Sequence, residues 1–460
     1  MADMRRFGFL DIMLLLVVFA AAAGARAGYL VACADGGKAD GPLRVQESPP
    51  ANPAGQSDQQ GLIDNVRDGF WFGSRPRSPG ARRRPPVAPG YPYLVGLLAR
   101  QVPADQLGLV VRWAQVGLGA FAAAFYFLFA RRAFRSLAVG TLAGLFAAVH
   151  PYWVVEVANL SDATLASTAL ALVLYLGGQA GEKGGAFSSL LLGAALAGLA
   201  LVRAAYLPFS FVMLVWFLLR SRTLRLGWLC ALCAFLGFGA ALSPWTIRNY
   251  QEFKEPVPVV SSTYYHLWVG NNPRATGGPA TDEMVETART EELQKVSGQP
   301  ARYARLGKDV VEEVQGRPVL TIKRRLWAGL YFVFGQRWFG EGTLAETVST
   351  DAEPPAWLAD NYVLVFQAVL LGMLLLTYLG WRWSYGWRWE SVPAALAMVW
   401  VPLPYLLGHA GSLSGDRLPL DGVMLCLSAF ALCCFLPGVG GHLLGGAEGA
   451  TPTPPAEQFP

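Results

Sequence analysis

The sequence predicts an all-α integral membrane protein, a polytopic bundle of about ten transmembrane helices with two external loop regions bearing short helices. Only 15% of the 460 residues are charged and 53% are hydrophobic, whereas a soluble domain would carry about a quarter charged residues. The apolar residues also fall in separate runs of roughly 20, which is the length that crosses the hydrocarbon core of a bilayer.

Ten apolar runs qualify as spans. They lie at about 9–31, 107–129, 136–154, 162–178, 187–203, 205–219, 227–244, 360–380, 391–408 and 419–437. The first resembles a signal peptide, because Arg5 and Arg6 precede it and Ala25-Arg26-Ala27 resembles a cleavage site. We expect an uncleaved anchor, because its topology agrees with every later span.

With the N-terminus in the cytoplasm, the short basic connections lie on the cytoplasmic side, as the positive-inside rule requires. These basic residues are Arg131, Arg132, Arg135, Lys183, Arg220, Arg222, Arg225, Arg382 and Arg388. The Arg-over-Lys preference and the Ala and Gly content suit a bacterial inner membrane. The net charge of +5 therefore reflects basic residues that set the membrane topology, and we expect no nucleic-acid partner.

Two hydrophilic stretches, 32–106 and 245–358, are predicted to lie outside, within one transmembrane domain that covers residues 1–440. The second contains a helical stretch near 283–315 and an amphipathic piece, Leu326 to Phe339, suited to the membrane interface. Residues 441–460 are Pro-rich and predict a disordered cytoplasmic tail. The six cysteines show no metal or disulfide framework and are interpreted as small apolar packing residues.

Two outer acids are candidate catalytic residues. Asp58 follows Ser57, a predicted N-cap, and opens a helix whose apolar residues have helical spacing. It is either an acid favoured by the helix dipole or a general base over the membrane surface. Asp162 stands at the outer start of the fourth span, where a carboxylate is costly enough to be a site candidate or is again a helix-start acid.

Outward-facing arginines are candidate ligands for a lipid phosphate, because guanidinium groups bind phosphate oxygens in pairs. They are Arg82, Arg83, Arg84, Arg203 and Arg248. The alternative is that each extends to the lipid headgroups.

Six further outer residues are candidate substrate-binding residues: Tyr91, His150, His266, Asn271, Asn272 and Arg417. Arg417 forms a pair with Asp416 that is either functional or structural. His266 and the two asparagines suit a sugar or a metal, although one histidine among scattered acids does not make a metal site. The sequence therefore predicts no specific metal and leaves a divalent metal open as a cofactor.

Four blocks resemble the membrane glycosyltransferases of the GT-C fold, especially family 39 and its bacterial relatives akin to protein O-mannosyltransferases and the aminoarabinose transferase of lipid A. The blocks are the acid-opened helix from Asp58 to Gly69, Pro-Gly-Tyr-Pro at 89–92, His150-Pro151 with the later Asp162, and Ser-Pro-Trp-Thr-Ile-Arg-Asn-Tyr at 243–250 with Leu-Trp-Val-Gly-Asn-Asn-Pro at 267–273. A late Arg-Leu-Pro at 417–419 also fits.

The resemblance implies a polyprenyl-phosphate sugar as donor, a lipid, glycan or protein acceptor, and inverting transfer to a hydroxyl on the external face. It gives Asp58 the role of general base and the arginines at 82–84 and 248 the role of holding the departing phosphate. The chain departs from many relatives by having Gln59 and Gln60 where a second acid follows. Two alternatives therefore stand beside the transferase: a transporter or flippase for a lipid-linked saccharide, and an inactive scaffold of the same fold.

Overall fold

The computed structural model describes residues 8–33, 55–71, 87–254, 256–281, 283–285, 287, 304–335, 355–361, 363–383, 389–409 and 416–436. Throughout these ranges the regular structure is helical, without a strand. Seven of the described helices are long and apolar enough to cross a membrane, and shorter apolar helices stand at the other predicted spans. The all-α polytopic architecture is thus confirmed.

The helices of the first half alternate between spans and short connecting pieces. They are α1 Phe9–Ala32, α2 Gly55–Arg67, α3 Gly90–Ala99, α4 Leu107–Ala133, α5 Leu137–Val149, α6 Pro151–Glu156, α7 Ala163–Lys183, α8 Ala186–Val202, α9 Leu207–Ser221 and α10 Gly227–Phe253. A 3₁₀ turn, Ala204–Tyr206, joins α8 to α9.

The second half contains the helices of the second hydrophilic stretch and the last three spans. They are α11 Thr263–Gly270, α12 Ala304–Gly316, α13 Pro318–Phe334, α14 Ala356–Asp360, α15 Val369–Trp383, α16 Val392–Trp400, α17 Leu403–Leu407 and α18 Leu418–Phe435. A π-helical segment, Val363–Ala368, leads into α15.

The spans pack closely because small residues let backbones approach. A Cβ on Gly193 of α8 would lie 1.9 Å from the carbonyl oxygen of Ala234 of α10, and one on Gly380 would lie 2.2 Å from that of Leu427. Helix α18 is buried along most of its length, between α15 on one side and α5 and α7 on the other. His150 and Trp153 both form hydrogen bonds to its first turn.

Ion pairs join residues that the predicted topology places on the same side of the membrane. At one end, Arg131 lies 2.5 Å from Asp11. At the same end, Arg132 lies 3.1 Å from Glu182, and Arg135 lies 3.0 Å from Glu390. At the opposite end, Arg203 contacts Asp162 and Asp416. The alternation of the spans agrees with these pairs, while the assignment of the second end to the periplasm stays a prediction.

Three predicted boundaries are wrong. Helix α2 begins at Gly55, so Ser57 lies inside it and is not its N-cap. Helix α10 continues nine residues beyond the predicted end at 244, through Pro244, so Arg248 lies on the helix rather than after it. The amphipathic segment begins at Pro318 instead of Leu326. In each case the predicted boundary was placed where the sequence becomes polar. A helix can nevertheless continue past that point wherever other parts of the protein pack on it.

Candidate functional site

Helices α2 and α3 attach the first external region to the bundle. Ile63 of α2, Tyr91 of α3 and Leu160, two residues before Asp162, belong to one buried apolar cluster. The two helices touch, since a Cβ on Gly96 would lie 2.7 Å from the Cβ of Val66. The first sequence block is therefore held beside the loop that leads into α7.

The opposite side of α2 packs on α10. Leu62 and Val66 share a buried cluster with Trp245, and the guanidinium carbon of Arg248 lies 4.9 Å from the Trp245 ring centroid. Asp58 precedes Leu62 by about one helical turn. The backbone of Asp58 is described within α2, whereas its side chain is outside the described residues. The first and fourth sequence blocks thus meet.

Asp162 stands at the N-cap position of α7, but its carboxylate does not cap the helix. Instead both oxygens accept hydrogen bonds from Arg203, one from Nε at 3.1 Å and the other from Nη2. The Nη1 atom of Arg203 lies 3.4 Å from the Tyr405 hydroxyl and 3.5 Å from Asp416 Oδ1. Asp162 keeps 25% of its side chain exposed, while Arg203 and Asp416 are buried. Arg203 therefore lies between two carboxylates and holds the partly exposed one, Asp162, in place.

Glu156 is a buried acid of this cluster that the sequence analysis did not identify. Its carboxylate accepts hydrogen bonds from Asn159 Nδ2 at 3.0 Å and from the Ser161 hydroxyl. Burial raises the pKa of Glu156 to about 7, against the lowering effects of these hydrogen bonds and of Arg203. It follows the predicted span 136–154 by two residues and lies among valines, in Val-Val-Glu-Val, without any motif to mark it.

The raised pKa predicts that stability falls as pH rises. The folded protein keeps the Glu156 proton up to about pH 7, whereas an unfolded glutamate releases it near 4.5. This contribution to stability is fully present below pH 4.5 and is lost as pH rises through 7. Thermal unfolding in detergent should therefore show a midpoint that falls from pH 5 to pH 8, and by less in Glu156→Gln. Equal slopes in the two proteins would contradict the prediction.

Tyr91 of α3 is connected through Gln115 to the loop that precedes Asp162. Its hydroxyl lies 3.0 Å from Gln115 Oε1, and Gln115 Nε2 donates to the carbonyls of Val157 at 3.0 Å and Asn159 at 2.7 Å. Tyr91 is only 1% exposed. In this structure it holds the loop before Asp162, and its predicted role in substrate binding stays a prediction.

A second buried network lies at the start of α18. Asp421 accepts from Arg417 Nε at 2.7 Å and from Nη2 at 3.3 Å, and its Oδ2 lies 3.0 Å from His150 Nε2. The Arg417 guanidinium lies over the Tyr152 ring at 4.6 Å and donates to the carbonyl of Val333 at the end of α13. The structure thus brings His150 and Arg417 together through Asp421, which was not among the candidates.

His266, Asn271 and Asn272 lie in the external region beside α17. His266 Nδ1 is 3.1 Å from His409 Nε2, and burial lowers the pKa of His266 to about 4. Asn271 Nδ2 donates to Leu407 O at 3.0 Å, joining α11 to the bundle. Asn272 Nδ2 donates to carbonyls of its own helix. These contacts are structural, and binding of a sugar by these residues stays a prediction.

Three candidate arginines and the possible metal site remain to be placed. Arg82, Arg83 and Arg84 lie outside the described residues. Across the part of the chain that the structure describes, no three His, Cys, Asp or Glu side chains are grouped as ligands for a metal ion. The described acids of the cluster are bound by arginine or by neutral donors.

Searched against models of protein families and against curated proteins, the sequence matches none. A search of solved structures returned the archaeal oligosaccharyltransferase AglB from Archaeoglobus fulgidus in complex with an inhibitory peptide and a dolichol-phosphate, with 13% identity and a TM-score of 0.46 over 98% of this chain and 53% of that one. It also returned ArnT from Cupriavidus metallidurans bound to undecaprenyl phosphate, with 12% identity and a TM-score of 0.36 over 93% of this chain and 78% of that one.

The chain spans about half the length of the oligosaccharyltransferase it matches. At these scores no residue role in this chain rests on the likeness.

Proposed function

We propose that the protein transfers a sugar from a polyprenyl-phosphate donor to an acceptor hydroxyl at the external face of the membrane. The observation that carries the proposal is the meeting of distant blocks at one end of the bundle. Helix α2, which carries Asp58, packs between the loop before Asp162 and the Trp245–Arg248 stack. An acid and a cation on neighbouring elements are what acid–base chemistry on a phosphate ester requires.

In the proposed reaction Asp58 is the general base. It takes the proton of the acceptor hydroxyl while that oxygen bonds to the anomeric carbon of the donor. The bond from the anomeric carbon to the phosphate oxygen breaks, and the electron pair leaves with polyprenyl phosphate. Attack from the face opposite the phosphate inverts the configuration at the anomeric carbon.

Arg248 is the described cation best suited to the departing phosphate. It is half-exposed on α10 and stacked on the Trp245 indole, an arrangement that keeps a guanidinium plane in place. Arg203 is buried between Asp162 and Asp416, so its charge is already used by two carboxylates. In the proposal Arg203 orients Asp162, while Arg248 and the arginines at 82–84 bind the phosphate.

The test is transfer of radiolabel from a polyprenyl-phosphate sugar pool in membranes that contain the protein. Asp58→Asn should abolish release of label from the lipid, because an amide cannot accept the proton. The matched control is Asp64→Asn on the same helix, where the acid lies 3.5 Å from Arg67. Asp64→Asn should retain transfer.

Three other outcomes would contradict the proposal, and two of them would assign the protein to another class. Release that is unchanged in Asp58→Asn would contradict the proposed base. Movement of labelled lipid across the membrane without a new glycosidic bond would indicate a flippase. No release by correctly inserted wild-type protein would indicate an inactive scaffold.

A further inference from the structure

Helix α13 has an inverted distribution of polarity. Its exposed face is an apolar stripe, with Val319 81%, Ile322 62%, Leu326 66%, Trp327 36% and Leu330 39% exposed. The opposite face carries two cations into the protein. The guanidinium of Arg324 is 2% exposed, and that of Arg325 is partly buried. A helix in water would show the reverse arrangement.

The inward cations fix the rotation of α13 about its axis. Arg324 donates to Glu313 Oε1 at 3.0 Å and to the carbonyl of Ala275 at 3.0 Å. Arg325 donates to the carbonyls of Gly270 at 2.6 Å and Gly408 at 2.9 Å. Turning the apolar stripe inward would break all of these contacts and strand two charges, so the stripe must face whatever surrounds the protein.

The stripe continues a surface that faces lipid. Helix α13 packs on α17 at the outer end of an apolar membrane helix, with the Phe332 and Tyr405 rings 5.3 Å apart. That membrane helix itself exposes Val399 at 57% and Leu407 at 49%. The apolar face of α13 therefore lies at the level where the bilayer begins. The exposed Lys323 projects from the same face, and its long side chain can extend to the phosphates of lipid headgroups.

We propose that α13 lies in the outer leaflet, with Val319, Ile322, Leu326 and Leu330 among the acyl chains and Lys323 at the headgroups. Helix α13 is also joined to the candidate site, because the carbonyl of Val333 near its end accepts a hydrogen bond from Arg417. The membrane thus holds one end of the external region in register with α18. The inference is independent of the proposed function.

The test uses a nitroxide attached at Leu326→Cys in protein reconstituted into phospholipid vesicles, with the partly exposed Cys233 and Cys434 replaced by Ala. Collisions with dissolved oxygen, which concentrates in lipid, should exceed those with a water-soluble nickel complex. The matched control is Glu312→Cys on α12, an exposed position in a polar helix. Its label should collide more with the nickel complex.

Two results would overturn the inference. A label at 326 that prefers the nickel complex would place the stripe in water. A label at 326 that is shielded from both reagents would show that protein covers the stripe, and dipolar coupling between labels would identify that protein as a second copy of this chain.

Discussion

Replacing Arg203 by Gln should unfold the end of the bundle that contains Asp162 and Asp416 and abolish the proposed transfer. The arginine is 6% exposed and lies between Asp162 and Asp416, of which Asp416 is 2% exposed. Removing one partner of a buried pair leaves a charge uncompensated and typically costs about 3–5 kcal/mol. The raised pKa of Glu156 should rise further, because Arg203 is one of the groups that lower it. Thermal unfolding of the purified protein in detergent measures the loss.

The matched control is Arg220→Gln at the opposite end of the bundle. Arg220 donates to the carbonyl of Gly181 at 2.8 Å, but it is partly exposed and has water as an alternative partner, so its loss should cost less. The double variant Arg203→Gln/Asp162→Asn should recover part of the stability, since it removes one of the stranded carboxylates. Equal stability of Arg203→Gln and Arg220→Gln would contradict the pairing.

The membrane spans could be predicted because lipid imposes a length and an apolar composition on each of them. The same rule fails where a helix leaves the lipid. Helix α10 continues through Pro244 to Phe253, because Trp245 packs under Leu62 and Val66 and donates to the carbonyl of Val259 at 3.0 Å. Leu62 and Val66 are distant in sequence from Trp245, and Val259 lies beyond the end of the helix, so no pattern within the helix predicted the extension.

Two buried arginines bind carbonyls at helix C-termini, a role that the sequence did not predict. Arg26 in α1 donates to the carbonyls of Ala147 and Ala148 at 3.0 Å, at the C-terminal end of α5. Arg417 donates to the end of α13 in the same way. A helix C-terminus leaves carbonyls without intrahelical partners and carries a partial negative charge, which a guanidinium satisfies. For the outward-facing arginines we expected phosphate binding or headgroup contact, whereas this use depends on tertiary contacts between residues 84 to 122 positions apart.

Asp162 was selected from the sequence as an acid that interrupts an apolar pattern, and its catalytic role stays a prediction. Asp162 stood out because it opens a span, and the structure gives it an arginine and partial exposure. Asp421 was not selected because it lies inside the predicted span 419–437, and Glu156 was not selected because it lies among valines just after the span 136–154. What distinguishes them is burial together with specific partners, and both properties appear only when α6 and α18 are packed in the fold.

Asp421→Asn should be the second severe variant, because Asp421 is fully buried and compensates the charge of Arg417. The amide keeps the shape but offers a single oxygen, so Arg417 loses its bidentate contact and His150 loses a carboxylate partner. We expect a loss of about 3–5 kcal/mol, as for other broken buried pairs.

A matched control lies two helical turns further along α18. Ser428→Ala removes a hydrogen bond of 3.2 Å to the carbonyl of Met373 and should cost only about 1 kcal/mol. Thermal unfolding of both variants tests the difference, and the double variant Asp421→Asn/Arg417→Gln should be more stable than Asp421→Asn alone. If Asp421→Asn and Ser428→Ala are destabilised equally, the Arg417 charge does not depend on Asp421. The start of α18 would then lack the ion pair that holds His150, Tyr152 and the end of α13 around one guanidinium.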